Sequence, residues 1–170
     1  GDGYAEYWGA LWPWQSGNLK LWQLITHMFM HGGLGHIFFN MFALWMFGPA
    51  LEHLWGPKRY FQFYMACGII AGVAQLLLSA GTAPAVGASG AIMGVLAAFA
   101  YLYPETNLYV MLIPIPIKAK WAIPALIAID LFGGVAGRPE DNIAHFAHLG
   151  GAFAGIVLAY IWRRNSIRRG

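Results

Sequence analysis

Three long stretches of the chain contain no Asp, Glu, Lys or Arg, and they restrict the possible folds more than any other feature. They cover residues 21–51, 60–103 and 142–162. A helix needs about 20 mostly apolar residues to cross roughly 30 Å of hydrocarbon. The middle stretch is long enough for two such helices, and a Gly/Pro/Ser/Thr cluster at residues 79–84 marks the break between them. The pattern predicts a polytopic membrane protein built from helices.

The composition supports this prediction and excludes several classes of protein. Charged residues make up 10% of the chain, against about 25% in typical soluble proteins. So few charges cannot solvate a small soluble monomer. The single Cys67 excludes a disulfide framework and a cysteine-ligated zinc site. The net charge of +3 is not gathered on one helix face, so nucleic acid is not an expected partner.

We predict one all-α domain, a transmembrane helical bundle over residues 1–170. Residues 1–34 are rich in Tyr and Trp, which favour the membrane interface, and are expected to form an external interfacial loop. Residues 163–170 are expected to form a cytoplasmic tail. The predicted spans cover residues 35–53, 59–79, 87–103, 119–136 and 143–162.

The distribution of Lys and Arg among the connections predicts the orientation, because positive charge favours the cytoplasmic side. One side of the predicted bundle receives only Lys20 and Arg138. The other side receives Lys58, Arg59, Lys118, Lys120, Arg163, Arg164, Arg168 and Arg169. We therefore expect a multi-pass protein of a bacterial plasma membrane with its C-terminus in the cytoplasm.

This topology brings polar residues from separate segments to one depth, in the outer third of the bilayer. Polar side chains at such a depth are costly and indicate function. Taken singly, a Ser can be a packing residue that returns its hydroxyl to the backbone, and a His can bridge helices. The residues are His31, His36, Asn40, Ser89, His145 and His148.

Pairs of glycines four residues apart are interpreted as helix-packing positions rather than chemistry, because small residues let two helices approach closely. The pairs are Gly68 and Gly72, Gly90 and Gly94, and Gly151 and Gly155.

Ser89 has the strongest chemical signal of the polar set. It lies between small residues at a predicted helix start, where backbone N–H groups point at developing negative charge. His148 lies on another span at a similar depth and could act as its general base. Glu52 and Asp130 are assigned structural roles at other depths, and Glu140 and Asp141 are the carboxylates near this level, in a loop, so no third member of a triad is evident. The chemistry would rest on a Ser–His dyad.

Three segments then carry a resemblance to a known family. They are HGGLGHIFFN at residues 31–40, GASGAIMG at 87–94 and AHLGGAFAG at 147–155. In this order they are similar to the signature of the rhomboid intramembrane serine proteases. The resemblance implies a helical bundle with a cavity open to the outside, which cleaves transmembrane segments of other proteins within the lipid bilayer and needs no cofactor or metal.

The resemblance also implies roles for particular residues. Ser89 would be the nucleophile and His148 the base, while His36 and Asn40 would stabilise the oxyanion together with the Ser89 backbone N–H. Supporting positions would be held by His31, Gly87, Gly90 and Met93.

The chain departs from the family pattern in three places. The family core has six spans and the sequence shows only the last five, so we expect the first helix to be missing here. Gln23 stands where many members have Arg after Trp22. Met93 stands where some members place an aromatic ring that stacks on the His.

Two other classes of function remain open. The His cluster could ligate a metal or haem, or the bundle could bind transmembrane helices without cutting them. A zinc metalloprotease is excluded because the chain has no His-Glu-x-x-His motif. An intramembrane aspartyl protease would need two carboxylates at one depth, which Glu52 and Asp130 are not expected to provide.

Overall fold

The computed structural model describes residues 2–79, 82–109, 115–136 and 144–167. Within these ranges the chain is mostly helical. Its α-helices are α1 (Asp2–Gly9), α2 (Gln23–Thr26), α3 (Leu34–Trp55), α4 (Pro57–Leu78), α5 (Ser89–Leu102), α6 (Ala119–Ala136) and α7 (His145–Ile167). Two short 3₁₀ turns lie at Trp14–Ser16 and His27–Phe29, and strand β1 (Asn107–Leu108) pairs antiparallel with β2 (Ile117–Lys118). The all-α class predicted from the sequence is confirmed.

Each predicted span overlaps one of the helices α3 to α7. By length and composition, α3, α4 and residues 145–163 of α7 are able to cross a membrane, while α5 is a shorter apolar helix. The turn between α3 and α4 is set by Gly56, whose φ of 80° favours glycine, and by Pro57 at the start of α4. A chain that reverses in this way sends α3 and α4 in opposite directions.

Helix α5 forms the centre of the bundle, and α7 packs directly along it. A methyl group on Gly151 would overlap the carbonyl oxygen of Gly90, and one on Gly155 would overlap that of Gly94. The two backbones therefore touch, and the packing role predicted for these two glycine pairs is confirmed. Gly68 also serves packing, but its neighbour is Met28 rather than another long helix. Met28 belongs to the N-terminal segment, which is the part of the chain before α3 (residues 2–33).

The N-terminal segment is fastened to the connection that leads into α5. Leu11 and Ala85 exchange backbone hydrogen bonds at 2.9 Å in each direction. Gln23 is fully buried, and its side chain binds the backbone of this segment: Oε1 accepts from the Lys20 N–H at 3.0 Å, and Nε2 donates to the Tyr7 carbonyl at 3.2 Å. Gln23 stands here in place of the Arg of the family pattern, and its side-chain amide anchors the segment through these hydrogen bonds.

The two ends of the bundle differ in chemistry. At one end, the hydroxyl of Tyr103 donates to the carbonyl of Ala50, and Lys118 and Lys120 both pair with Glu105 beside the β1–β2 hairpin. At the other end, the first turns of α3, α5 and α7 meet. All six polar residues predicted to share one depth belong to this second end.

Candidate active site

The first turns of α5 and α7 bring a serine and a histidine into hydrogen-bond contact. Ser89 is the first residue of α5, and His148 lies one turn into α7. The Ser89 Oγ lies 2.7 Å from His148 Nε2, although the residues are 59 positions apart in the chain. The glycine contacts between the two helices permit this approach, since larger residues would hold the helices apart. The geometry is that of a hydroxyl beside a base.

Helix α6 brings a carboxylate to the same histidine. Asp130 Oδ2 lies 2.9 Å from His148 Nδ1, and Asp130 Oδ1 lies 3.0 Å from His145 Nδ1. The assignment of Asp130 to another depth is therefore wrong, because α6 carries this carboxylate to the first turns of α7. Because α6 runs opposite to α5 and α7, its second half approaches their first turns: Asp130 lies eleven residues beyond Ala119, which corresponds to about 16 Å at 1.5 Å per residue.

A second set of residues surrounds the space beside Ser89. His36 Nδ1 accepts the N–H of Gly32 at 3.3 Å, so the proton of the neutral ring lies on Nε2. That Nε2 faces Gly87, where an added Cβ would lie 2.8 Å from it and 3.6 Å from Ser89 Oγ. Gly87 also has a φ of 127°, which L side chains rarely adopt. Glycine at this position therefore leaves an open space between a ring N–H and the Ser hydroxyl.

Asn40 lies one turn after His36 on the same face of α3. It is 6% exposed, and its Nδ2 has no hydrogen-bond partner among the described residues. A buried amide without a partner is costly in a folded protein. Its donor is therefore available for a group that binds beside it.

The supporting positions differ in what they contact. The ring of His31 stands edge-on to that of His36, with centroids 5.4 Å apart, and its Nε2 is buried without a partner among the described residues. A Cβ on Gly90 would lie 2.6 Å from Ala71 Cβ, so this glycine admits α4. Met93 is partly buried against the hydrophobic core.

Two glutamines contribute to the site although their sequence context predicts no role in it. Gln75 of α4 accepts the N–H of Ala147 at 3.2 Å, which satisfies an unpaired donor in the first turn of α7 next to His148. Gln23 anchors the segment before α3 as described above. A polar residue inside an otherwise apolar stretch was the available signal for Gln75. No group of three or more His, Cys, Asp or Glu side chains in the described ranges is arranged to hold a metal ion.

Comparison with known proteins finds one matching family model and several similar relatives. A family model described as a Rhomboid domain matches residues 18–165. Presenilin-associated rhomboid-like protein A, mitochondrial, of Danio rerio is 36% identical over 150 residues, which cover 83% of this chain and 39% of that protein. Rhomboid protease GluP of Bacillus subtilis is 37% identical over 138 residues, which cover 81% of this chain and 26% of that protein.

A third relative, Rhomboid protein 1, mitochondrial, of Saccharomyces cerevisiae, is 33% identical over 144 residues, or 82% of this chain and 40% of that protein. The chain thus spans less than half the length of these relatives, from 26% to 40%. The matched region contains every residue of the site described above.

Proposed function

The chain belongs to the rhomboid family, a family of helical membrane proteins, and on this basis we propose that it is an intramembrane serine endopeptidase. In this proposal Ser89 is the nucleophile and His148 the general base. The observation that carries it is the 2.7 Å contact between Ser89 Oγ and His148 Nε2. A hydroxyl within hydrogen-bond reach of an imidazole nitrogen is the arrangement that activates serine for attack on a carbonyl.

The reaction follows from the atoms in place. Ser89 Oγ bonds to the carbonyl carbon of the substrate while its proton passes to His148 Nε2. The same nitrogen then returns the proton to the leaving amine, and water hydrolyses the acyl-enzyme by the reverse sequence. The side chain of His148 is only 12% exposed, so few water molecules compete with the substrate for the base.

The oxyanion would form beside Gly87. His36 Nε2–H, the amide of Asn40 and the N–H of Ser89 are the donors that could stabilise it. The N–H groups in the first turn of a helix have no partner within that helix, which leaves the Ser89 N–H available. In a site shielded from water, such donors stabilise the transition state strongly.

The proposed substrates are transmembrane segments of other proteins. Helix α5 has 14 residues, which correspond to about 21 Å at 1.5 Å per residue and fall short of the roughly 30 Å hydrocarbon layer. If α5 reaches the cytoplasmic boundary, Ser89 lies below the outer boundary. A substrate helix must unwind locally to present its backbone there, so helix-breaking residues near its outer end favour cleavage.

For the compartment we propose a bacterial plasma membrane with the C-terminus on the cytoplasmic side. The excess of Lys and Arg on the side that carries the C-terminus supports this orientation. The similarity to a protein of Bacillus subtilis is compatible with this location, while other relatives carry mitochondrial names.

Cleavage of a single-span substrate in proteoliposomes tests the proposal. Wild type should cleave a substrate with Gly and Pro near its outer end, and should cleave a matched substrate with Leu at those positions more slowly. Ser89→Ala should be inactive. Ser16→Ala serves as the control, because its hydroxyl binds the Pro13 carbonyl in an exposed turn. Cleavage by Ser89→Ala would overturn the proposal, and absence of cleavage by wild type would favour a helix-binding scaffold.

A further inference from the structure

The carboxylate of Asp130 lies between two histidines of α7. One oxygen faces His148 Nδ1 at 2.9 Å and the other faces His145 Nδ1 at 3.0 Å. The three side chains are 13%, 12% and 10% exposed, in the order Asp130, His148 and His145. These side chains therefore form a shielded, hydrogen-bonded chain that ends at Ser89, rather than an isolated Ser–His pair.

The contacts determine where the protons of His148 lie. A carboxylate oxygen accepts hydrogen bonds, so the Nδ1 that faces it carries the proton. In the neutral ring this leaves Nε2 as an acceptor, directed at Ser89 Oγ 2.7 Å away. The other tautomer would place a lone pair against the carboxylate and an N–H against the hydroxyl, and it could not accept the serine proton.

We propose that Asp130 is a positioning residue that holds His148 in its reactive tautomer and orientation, and that His145 acts through Asp130 by fixing the second carboxylate oxygen. This inference rests on the proposed protease function. It replaces the predicted dyad with a Ser–His–Asp arrangement contributed by three helices. Because His145 and His148 are three residues apart, both reach the same carboxylate from one face of α7.

The role of Asp130 in the reaction is limited to hydrogen bonding. When Ser89 Oγ bonds to the substrate carbon, its proton moves to Nε2 and the carbonyl electrons move to oxygen. His148 is then protonated on both nitrogens, and Asp130 continues to accept from Nδ1 without taking the proton. As the C–N bond breaks, Nε2 gives its proton to the leaving amine and the ring returns to the starting tautomer.

A purely structural role makes different predictions. In that case the two hydrogen bonds would only hold α6 against α7, and their loss would lower the melting temperature while the folded fraction kept its turnover. In the positioning role, the loss falls on kcat and leaves substrate binding largely intact. Steady-state kinetics and melting curves on the same samples therefore separate the two roles.

The first experiment compares Asp130→Asn with wild type in the substrate-cleavage assay. We expect kcat to fall by about 10²–10⁴, since loss of the carboxylate in a trypsin-like triad costs about 10⁴, with KM close to wild type. Glu105→Gln is the matched control, because it makes the same change on an exposed ion-paired side chain at the opposite end of the bundle. The control should keep wild-type kinetics, and Asp130→Glu should regain part of the lost kcat.

The second experiment tests whether His145 acts through Asp130. His145→Ala should lower kcat by about two- to tenfold, the scale of one hydrogen bond. In the Asp130→Asn background the same substitution should cause no further loss, because the residue through which it acts is already altered. Additive losses would show that His145 acts independently and would overturn that half of the proposal.

If Asp130→Asn does not fold, a spectroscopic measurement tests whether Nδ1 of His148 carries the proton. The Nδ1–H of His148 bound to a carboxylate should give a low-field proton resonance in Ser89→Ala protein labelled at histidine. Its absence would overturn the proposal. Wild-type kcat in folded Asp130→Asn, beside an inactive Ser89→Ala, would overturn this inference alone, whereas an active Ser89→Ala would overturn the protease function itself.

Discussion

The carbonyl oxygen of His27 accepts a hydrogen bond from the backbone N–H of Gly87 at 2.8 Å. This bond joins the N-terminal segment to the peptide that precedes Ser89. The Nδ1 of His27 is in turn bonded to the carbonyl of Gln23 at 2.7 Å. The segment before α3, which the sequence presents only as an interfacial loop, therefore supports the wall of the candidate active site.

Replacement of Gln23 tests this support. Gln23→Leu removes the side-chain partner of the Lys20 N–H and of the Tyr7 carbonyl, and we expect the free energy of unfolding to fall by about 1–3 kcal/mol. Gln15→Leu is the matched control, because Gln15 is exposed, and its effect should stay within about 0.5 kcal/mol. Thermal or denaturant unfolding of both proteins in the same detergent measures the difference. Equal stability of the two variants would contradict the anchoring role.

The contact between α5 and α7 gives a second prediction. Gly151→Ala places a methyl group on the carbonyl oxygen of Gly90, so α7 must move away from α5 and carry His148 from Ser89. We expect a loss of about 1–3 kcal/mol in stability from overpacking, together with a larger proportional loss of cleavage. Gly3→Ala is the control, since a Cβ there meets nothing within 4 Å. Normal cleavage by Gly151→Ala would show that the close helix contact is not needed.

The third prediction concerns the oxyanion. Asn40→Ala removes a buried donor that has no partner in the described structure. Loss of one such donor costs about 10²–10³ in kcat, with a smaller change in KM. The melting temperature should change little, because Nδ2 has no hydrogen bond to lose within the described ranges. Normal turnover with a lowered melting temperature would remove Asn40 from the site.

The acid dependence of stability gives a fourth prediction. Burial lowers the pKa of His27 below its ordinary value of 6.5, against a smaller opposite effect of its bond to Gln23. Below about pH 6.5 the unfolded chain takes up a proton at this residue that the folded chain does not, so stability should decrease as the pH falls. Above that pH the contribution is constant.

Melting curves from pH 7.5 down to 5.5 measure this effect. His27→Gln should reduce the slope of melting temperature against pH. Ser16→Ala should leave it unchanged, because Ser16 is exposed and its hydroxyl does not titrate in this range. Equal slopes in wild type and His27→Gln would assign the acid sensitivity to other groups.

The sequence predicted much of this site, and the missing parts have physical causes. The charge-free stretches predict the helices α3, α4, α5 and α7, and the alternating direction of the spans predicts that Ser89 and His148 lie at one depth. The depth of Asp130 depends on where α6 begins at the opposite end of the bundle, and the charge pattern does not define that point. The partners of Gln23 could not be predicted, since they are backbone groups brought together only by the folded loop.

The central claim is that Ser89 is the nucleophile, and covalent labelling tests it most directly. Purified wild-type protein should react with a fluorophosphonate, and mass spectrometry of the digested product should place the adduct on Ser89. Ser89→Ala should not label, while Ser16→Ala should label like wild type. Labelling of Ser89→Ala at the wild-type rate, or an adduct on another residue of the wild-type protein, would contradict the account.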